Sequence, residues 1–584
     1  MEVNALERAK EWANNSCFDE QARKEIQDLI DQDNQKEIEE RFYKDLEFGT
    51  GGLRSILGMG ANRINKYTVR KATQAMSNVL LTLGEKELRV AISYDSRRYS
   101  KEFAAEVASV FAANNIHAYI YKRLNPVALL SFSVRYHKAH AGVMVTASHN
   151  PPEYNGYKAY WNDGCQVTPP NDQNIIDQYN SITDFNDIKY ISIEDGEKKG
   201  LIHWVGEEVE NEYFKSIYSK AINPKLCRER GSELSIVYTP IHGTGLIPCK
   251  RALEDLGLNN IHVVKEQASP NGNFPTVSSP NPENPEALEL AVNLLKEKKA
   301  DIAMGSDPDT DRLGVVISHK DELHYLNGNQ IGLLMLHYIL VNLREQNRMP
   351  DRPYYIKTIV TSELQSVVAK KFGVEVENTL TGFKWICGRL REIEESEPER
   401  NFLFGTEESF GYLNHDFCRD KDGISSLTLM AEMTLWYKTQ DLTLIDALDK
   451  IYEEYGFSHE TLLCLNYYGK EGAEKISRIM EYFRENSTEF AGEKVEEVED
   501  YKSSILKNFT KNQQIDLTLP KSNVLGFTLS SGNKVYLRPS GTEPKIKFYI
   551  MIQEKMGSLT EKKENAQKKT QQILDFINQR AEEI

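Results

Sequence analysis

Three aspartates at alternate positions, Asp307, Asp309 and Asp311, lie in a short loop that Pro308 stiffens. Carboxylates delivered alternately from an irregular loop can converge on one hard cation, and with no His or Cys beside them the set favours Mg²⁺ over zinc. The same run also suits calcium or a plain acidic surface, although the EF-hand spacing is absent. A second group is Arg538-Pro539-Ser540-Gly541-Thr542. A guanidinium, two hydroxyls and the N–H groups of a turn without bulky side chains meet the donor demands of a phosphate dianion. Pro-Ser-Gly is equally ordinary turn chemistry. The third group is Ser148, in VMVTASHNPPEYNGYK (residues 143–158). An apolar run stops just before it, and a hydroxyl at the carboxyl end of a strand in an open α/β sheet sits where ligands bind. An Asn-Pro turn leaving a strand reads the same way. Lys421, between Asp420 and Asp422, is either a lysine that loses its proton readily near a cation or arginines, or a solvated loop lysine.

Strands must carry these groups, and one arrangement recurs. Residues 142–145, 234–238, 301–305 and 401–405 are short apolar runs, each ending in small or polar residues: the serine loop, Ile241-His242-Gly243-Thr244-Gly245, the aspartate loop, and Thr406-Glu407-Glu408-Ser409. Helical stretches separate them, which predicts successive α/β units whose strand ends face a shared site. Residues 1–46 carry Ala22, Ile26, Leu29 and Ile30 at helical spacing and read as a helical extension. Gly49, Gly51 and Gly52 then break the pattern and deliver Arg54, in a form that matches neither nucleotide-loop motif. Residues 88–94 read as a further strand ending in Asp95-Ser96-Arg97-Arg98. After about residue 456 strand-like runs and a closing helix with Ile573, Phe576 and Ile577 on one face mark a smaller α+β domain. The acidic runs at 392–399 and 496–500 read as solvated faces.

Composition bounds the partners. At 584 residues the chain is long enough for three or four domains of ~150 residues. A net charge of -16 argues against a general nucleic-acid binder, yet a local cluster of Arg and Lys can still hold a small phosphate. The seven cysteines show no CxxC pair, and neither a signal peptide nor a membrane-spanning run is visible, so a reducing, cytoplasmic setting is expected and no membrane partner.

The motifs TASHNPPEYNGYK, GSDPDTDRLG, GTEESFGY and RPSGTEPK, in that order across nearly the whole chain, closely resemble the α-D-phosphohexomutase superfamily of phosphoglucomutase and phosphomannomutase type. The resemblance implies three related mixed-sheet α/β domains plus a smaller α+β C-terminal domain around a central cleft. Their bounds would be 47–207 with the helical extension 1–46, then 208–325, 326–455, and a mobile 456–584. It implies that Ser148 is the phosphoserine, that Asp307, Asp309 and Asp311 with Ser148 hold Mg²⁺, and that Glu407 and Ser409, with Lys384, contact sugar. Arg538, Ser540, Gly541 and Thr542 match its phosphate loop. Arg54, His149, Lys158, Arg312 and Lys421 fall where members place catalytic or phosphate-contacting groups, Lys421 on the looser match DKDG. Thr310 replaces the glycine usual there, and Pro539 and Gly541 stand where others differ. The run GYKAYWNDGCQ and the long helical N-terminus are most similar to the branch whose phosphoglucomutases also act as phosphopentomutases.

The implied activity interconverts glucose 1-phosphate and glucose 6-phosphate through a sugar 1,6-bisphosphate. Mannose or pentose phosphates are the alternatives, in a monomer or weak dimer. Two rivals are an aspartyl-nucleophile phosphatase using Asp307-Pro308-Asp309-Thr310, which would lack its downstream Gly-Asp, and a silent sugar-phosphate sensor, which would be expected to lack a nucleophile or metal carboxylate.

Overall fold

The structure is a computed structural model and describes residues 4–49, 51–467, 469–486, 488–540 and 545–584. Three helices, Ala5–Asn14, Glu20–Asp31 and Gln35–Phe42, open the chain, each begun by a side-chain cap from Asn4, Asp19 or Asn34. Trp12 fastens them to the first sheet's helices by stacking on Phe18 at 4.1 Å and meeting Tyr67 and Phe185 edge-on.

Three mixed sheets follow. The first runs Gly52–Ile56, Tyr154–Trp161, Ala141–Val145, Arg89–Tyr94, His117–Tyr121, Ile202–Val205. The second runs Glu322–Leu326, Leu313–His319, Ile302–Ser306, Ile236–Thr239, Ile261–Val263, and the third Glu375–Thr379, Pro353–Thr358, Asn401–Glu407, Gly411–Leu413. In each, the strand that delivers a site loop has a parallel neighbour on one side and an antiparallel one on the other. Ala141–Val145 lies between Arg89–Tyr94 and Tyr154–Trp161, Ile302–Ser306 between Ile236–Thr239 and Leu313–His319, and Asn401–Glu407 between Pro353–Thr358 and Gly411–Leu413. Ala141–Val145 and Ile302–Ser306 are buried along their whole length, as strands covered on both faces must be, which is why they read as continuous apolar runs rather than alternating ones.

The C-terminal domain is an antiparallel sheet ordered Phe457–Asn466, Lys545–Glu554, Lys534–Pro539, Leu525–Leu529, Glu493–Asp500, Ile505–Asn508, Gln513–Asp516, with helices Gly469–Glu485 and Leu559–Glu583. One expectation fails here. The acidic run 496–500 is not simply a solvated face: it belongs to an interior strand, paired on both sides, with Val495 and Val498 buried. A bulge between Val495 and Glu497 breaks the period of two, so valines three positions apart both reach one core while the acidic residues between them stay partly exposed. Glu499 is further satisfied by the hydroxyls of Tyr501 and Tyr536 at 3.1 and 2.9 Å.

Candidate active site

Ser148 follows the strand Ala141–Val145 in a left-handed turn, φ 51°, and is only 3% exposed. A serine adopts that conformation only when its surroundings impose it. Its hydroxyl donates to Asp307 Oδ2 at 2.7 Å and lies 3.1 Å from His149 Nδ1. Two segments 159 residues apart therefore meet at one hydroxyl.

The aspartate loop is clamped from behind. Asp307 Oδ1 accepts the backbone N–H groups of Asp311 and Arg312 at 3.0 and 3.1 Å, curling the loop around its first carboxylate. Thr310 is left-handed, φ 53°, and its hydroxyl lies 2.8 Å from that of Thr244, which also donates to the Pro308 carbonyl at 2.9 Å. The Gly-punctuated turn 241–245 thus serves as the seat of the aspartate loop. A Cβ on Gly243 would stand 2.5 Å from Pro308 Cα.

One ligand oxygen from each of the three aspartates lies within 4.8 Å of the others, and all three residues are buried. Such a set cannot be fully ionised without cations. Burial and the charges of Asp311 and Asp309 push Asp307 well above the carboxylate range. Burial also opposes the charge on Asp309, but Lys158, donating at 2.7 Å, outweighs it and holds Asp309 below that range. Lys158 and Lys421 also approach Asp311 Oδ2, at 3.4 and 3.2 Å. Asp309 Oδ1 and Asp311 Oδ1 stay buried with no hydrogen-bond partner among the described residues.

Lys421 reverses its expected behaviour. Burial disfavours its charge, yet Asp311, Glu407 and Asp420 prevail and hold its proton on. The helix that follows it, Gly423–Lys438, begins against the aspartate loop, where Gly423 N–H donates to the Thr310 carbonyl at 3.1 Å. His149 behaves oppositely: burial and then the surrounding Arg312, Arg54, Lys421 and Arg97 drive its pKa well below 6.5, so the ring is neutral.

Arg54, His149, Arg312, Ser409, Arg538 and Ser540 line one cleft of about 870 Å³. Arg54 donates to Asn150 Oδ1 at 3.1 Å, and Arg312 pairs with Glu283. Glu407 is buried, and Glu408, which lines the cleft and accepts from Thr358 Oγ1 at 3.0 Å, is pushed up to about 7 by burial and by Glu407. Lys384, in the first turn of the helix Phe383–Ser396, has its ammonium 5.0 Å from the Trp385 ring, and burial lowers its pKa against the pull of Asp172. Gly541 and Thr542 lie outside the described residues.

Several participants were not singled out from sequence. Lys547 pairs across from Arg538 and, with Lys545, adds positive charge to the cleft wall; the alternation Lys-Ile-Lys was the available signal. Asp95, Arg97 and Thr146 hold the serine turn, and only the polar ending of a strand hinted at the first two.

Models of one family, phosphoglucomutase/phosphomannomutase, match the chain as its alpha/beta/alpha domain I over residues 45–186, domain II over 211–320 and domain III over 327–455. A phosphoglucomutase of Staphylococcus epidermidis is 36% identical over 530 residues, spanning 90% of this chain and 94% of that protein. One of Staphylococcus aureus is 36% identical over 526 residues, 89% and 92% of the two chains. Among solved structures, the open form of the Paramecium phosphoprotein pp63/parafusin superposes with a TM-score of 0.67 at 16% identity, covering 92% of this chain and 95% of that one. A phosphoglucomutase/phosphomannomutase family protein of Burkholderia thailandensis gives 0.61 at 17% identity, covering 90% and 97%.

Proposed function

The chain belongs to the phosphoglucomutase/phosphomannomutase family of the α-D-phosphohexomutases, and from that premise we propose that it interconverts glucose 1-phosphate and glucose 6-phosphate through phospho-Ser148. The observation that carries this reading is the Ser148 hydroxyl, 2.7 Å from Asp307, beneath a cleft whose wall bears Arg538, Ser540, Lys545 and Lys547. One end of the site transfers a phosphoryl group while the other grips a phosphate.

The aspartate loop fits a hard divalent cation. Two buried carboxylate oxygens lack partners among the described residues, the ligand atoms are all oxygen, and Asp307 already reaches the serine. Asp307, Asp309, Asp311 and the Ser148 oxygen would hold Mg²⁺, which when bound neutralises charge on the transferring phosphoryl group. This chain's own residues do the rest. Arg54 and Arg312 stand at the cleft wall beside the serine turn to steady that phosphoryl group. Neutral His149, 3.1 Å from Ser148 Oγ, can accept the serine proton when the hydroxyl attacks a bisphosphate. Glu407 and Ser409 offer an acceptor and a mixed donor-acceptor to sugar hydroxyls, while Arg538 and Ser540, with Gly541 and Thr542, hold the distal phosphate. The bisphosphorylated sugar turns around before returning its other phosphate to Ser148, so both phosphates must fit the same grip.

Neither Glu407 nor Ser409 senses the configuration that separates glucose from mannose. Glucose 1-phosphate is therefore the preferred substrate, mannose 1-phosphate tolerated, and pentose 1-phosphates turned over as a side activity. Steady-state assays with Mg²⁺ and each sugar 1-phosphate, under a matched bisphosphate activator, test this. A larger kcat/KM for ribose or deoxyribose 1-phosphate than for both hexoses overturns the hexose assignment, and no turnover of any sugar overturns the mutase reading.

A further inference from the structure

Both backbone groups of Ser148 are tied to a buried ion pair just past the neighbouring strand Arg89–Tyr94, Arg97 and Asp95 at 3.5 Å, the carbonyl directly by Arg97 and the N–H through Thr146. Asp95 accepts from Thr146 Oγ1 at 2.6 Å, and that same oxygen accepts the Ser148 N–H at 2.8 Å. Arg97 donates to the Ser148 carbonyl at 2.5 Å, to those of Pro151 and Tyr154 at 2.9 and 3.0 Å, and to that of Asn150. Four carbonyls of a single turn thus converge on one guanidinium. Only a planar fork can serve them together, because an ammonium has three donors radiating from a point.

The pair is itself fixed. Arg97 N–H and Ser100 Oγ donate to Asp95 Oδ1 at 2.9 and 2.7 Å, and Asp95 and Arg97 are both buried. From the second sheet's side, Phe274 covers the guanidinium at 5.0 Å. Gly272 packs where a Cβ would lie 2.4 Å from Arg98 N and 2.8 Å from Arg97 C. The Asn271 N–H donates to the carbonyl of His242, the residue before Gly243, which packs against Pro308. The serine turn and the aspartate loop therefore lean on the same segment.

We infer that Arg97, backed by Asp95, is a positioning residue that holds Ser148 in its left-handed turn and so aims the hydroxyl at the phosphoryl group. The inference rests on the reading of Ser148 as the nucleophile. Arg97 touches neither substrate nor reacting atoms; it acts through the four carbonyls. Burial lowers its pKa only to about 10, so the cation persists at neutral pH.

Arg97→Lys keeps the charge and loses the fork. Displacing a nucleophile by about 1 Å costs on the order of 10²-fold in rate. The variant should lose that factor both in kcat and in single-turnover phosphorylation of Ser148 by glucose 1,6-bisphosphate, read by intact mass. Its KM should stay within about threefold, because the distal phosphate grip is untouched. Wild-type rates in a folded Arg97→Lys variant overturn the proposal, as does a rise in KM with kcat unchanged. If that variant does not fold, Phe274→Ala decides. It uncovers the guanidinium without altering the turn's own residues, and should lower the phosphorylation rate about tenfold at constant KM; an unchanged rate overturns the proposal. Failure of wild-type protein to take up phosphate at Ser148 would instead overturn the nucleophile assignment, which separates the two readings.

Discussion

At the scale of single residues, the site works by unequal treatment of like groups. Ser148→Ala removes one hydroxyl from a turn whose backbone is held independently, by Thr146 and Arg97. The fold should survive, and turnover should fall by roughly 10⁴ to 10⁶, the cost of losing a covalent nucleophile; near-normal activity in the steady-state assay would remove Ser148 from the mechanism. Glu408 supplies a pH signature. Its pKa rises from 4.5 to about 7, so between those values the folded protein keeps a proton that the unfolded chain has lost. Its stabilising contribution is complete below 4.5 and disappears as pH climbs through 7. Between pH 5 and 7.5, wild type should lose on the order of 1–3 kcal/mol relative to Glu408→Gln, read from urea midpoints. Parallel pH dependence of the two proteins would show that Glu408 titrates normally.

At the scale of elements, loops are positioned by close backbone approach. The helix Gly423–Lys438 starts so near the aspartate loop that a Cβ on Gly423 would lie 2.6 Å from the Thr310 carbonyl oxygen. Backbone cannot yield there as a flexible side chain would. Gly423→Ala should therefore cost about 1–3 kcal/mol of stability through overpacking. It should also raise the Mg²⁺ concentration needed for half-maximal activity, because the loop that moves carries Asp309 and Asp311. An unchanged metal titration would mean that the loop holds its shape without this contact.

For the whole molecule, the C-terminal domain joins the rest through Gly456, φ 101°, which ends the helix Leu444–Tyr455 directly before the strand Phe457–Asn466. Polar contacts such as Ser362 to Ser458 at 3.2 Å and Lys534 to Glu363 at 3.6 Å tie it to the third sheet's domain. An apolar patch adds to them, with Ile359, Val360 and Leu380 packing against Tyr501, Tyr536, Tyr549 and Met551, so a closing motion would pivot at Gly456 and slide along this patch. Residues from about 456 onward should close as a unit when a sugar bisphosphate binds, keeping the intermediate from solvent. X-ray scattering should show compaction, and hydrogen exchange should show new protection in the strand Lys534–Pro539. Neither change on saturation with ligand would argue for a rigid cleft.

The chemistry of each loop was legible in the chain itself, because it depends on residue types a few positions apart. Asp307, Asp309 and Asp311 announce an oxygen-ligand cluster, and the apolar run before Ser148 announces a buried strand, as the wholly buried Ala141–Val145 bears out. Four motifs in order likewise carried the family. Tertiary structure alone decided what depends on neighbours distant in sequence. Lys421 keeps its proton because Asp311, Glu407 and Asp420 surround it, and His149 is neutral because arginines from other segments do. The acidic run 496–500 became an interior strand through its partners on both sides. Arg97 shows the division most plainly: as a letter it is one polar residue after a strand, and only the folded turn brings four carbonyls to its guanidinium. Local pattern determines which groups a loop can offer. Protonation, orientation and support are set by the field and packing of segments that the chain brings together only on folding.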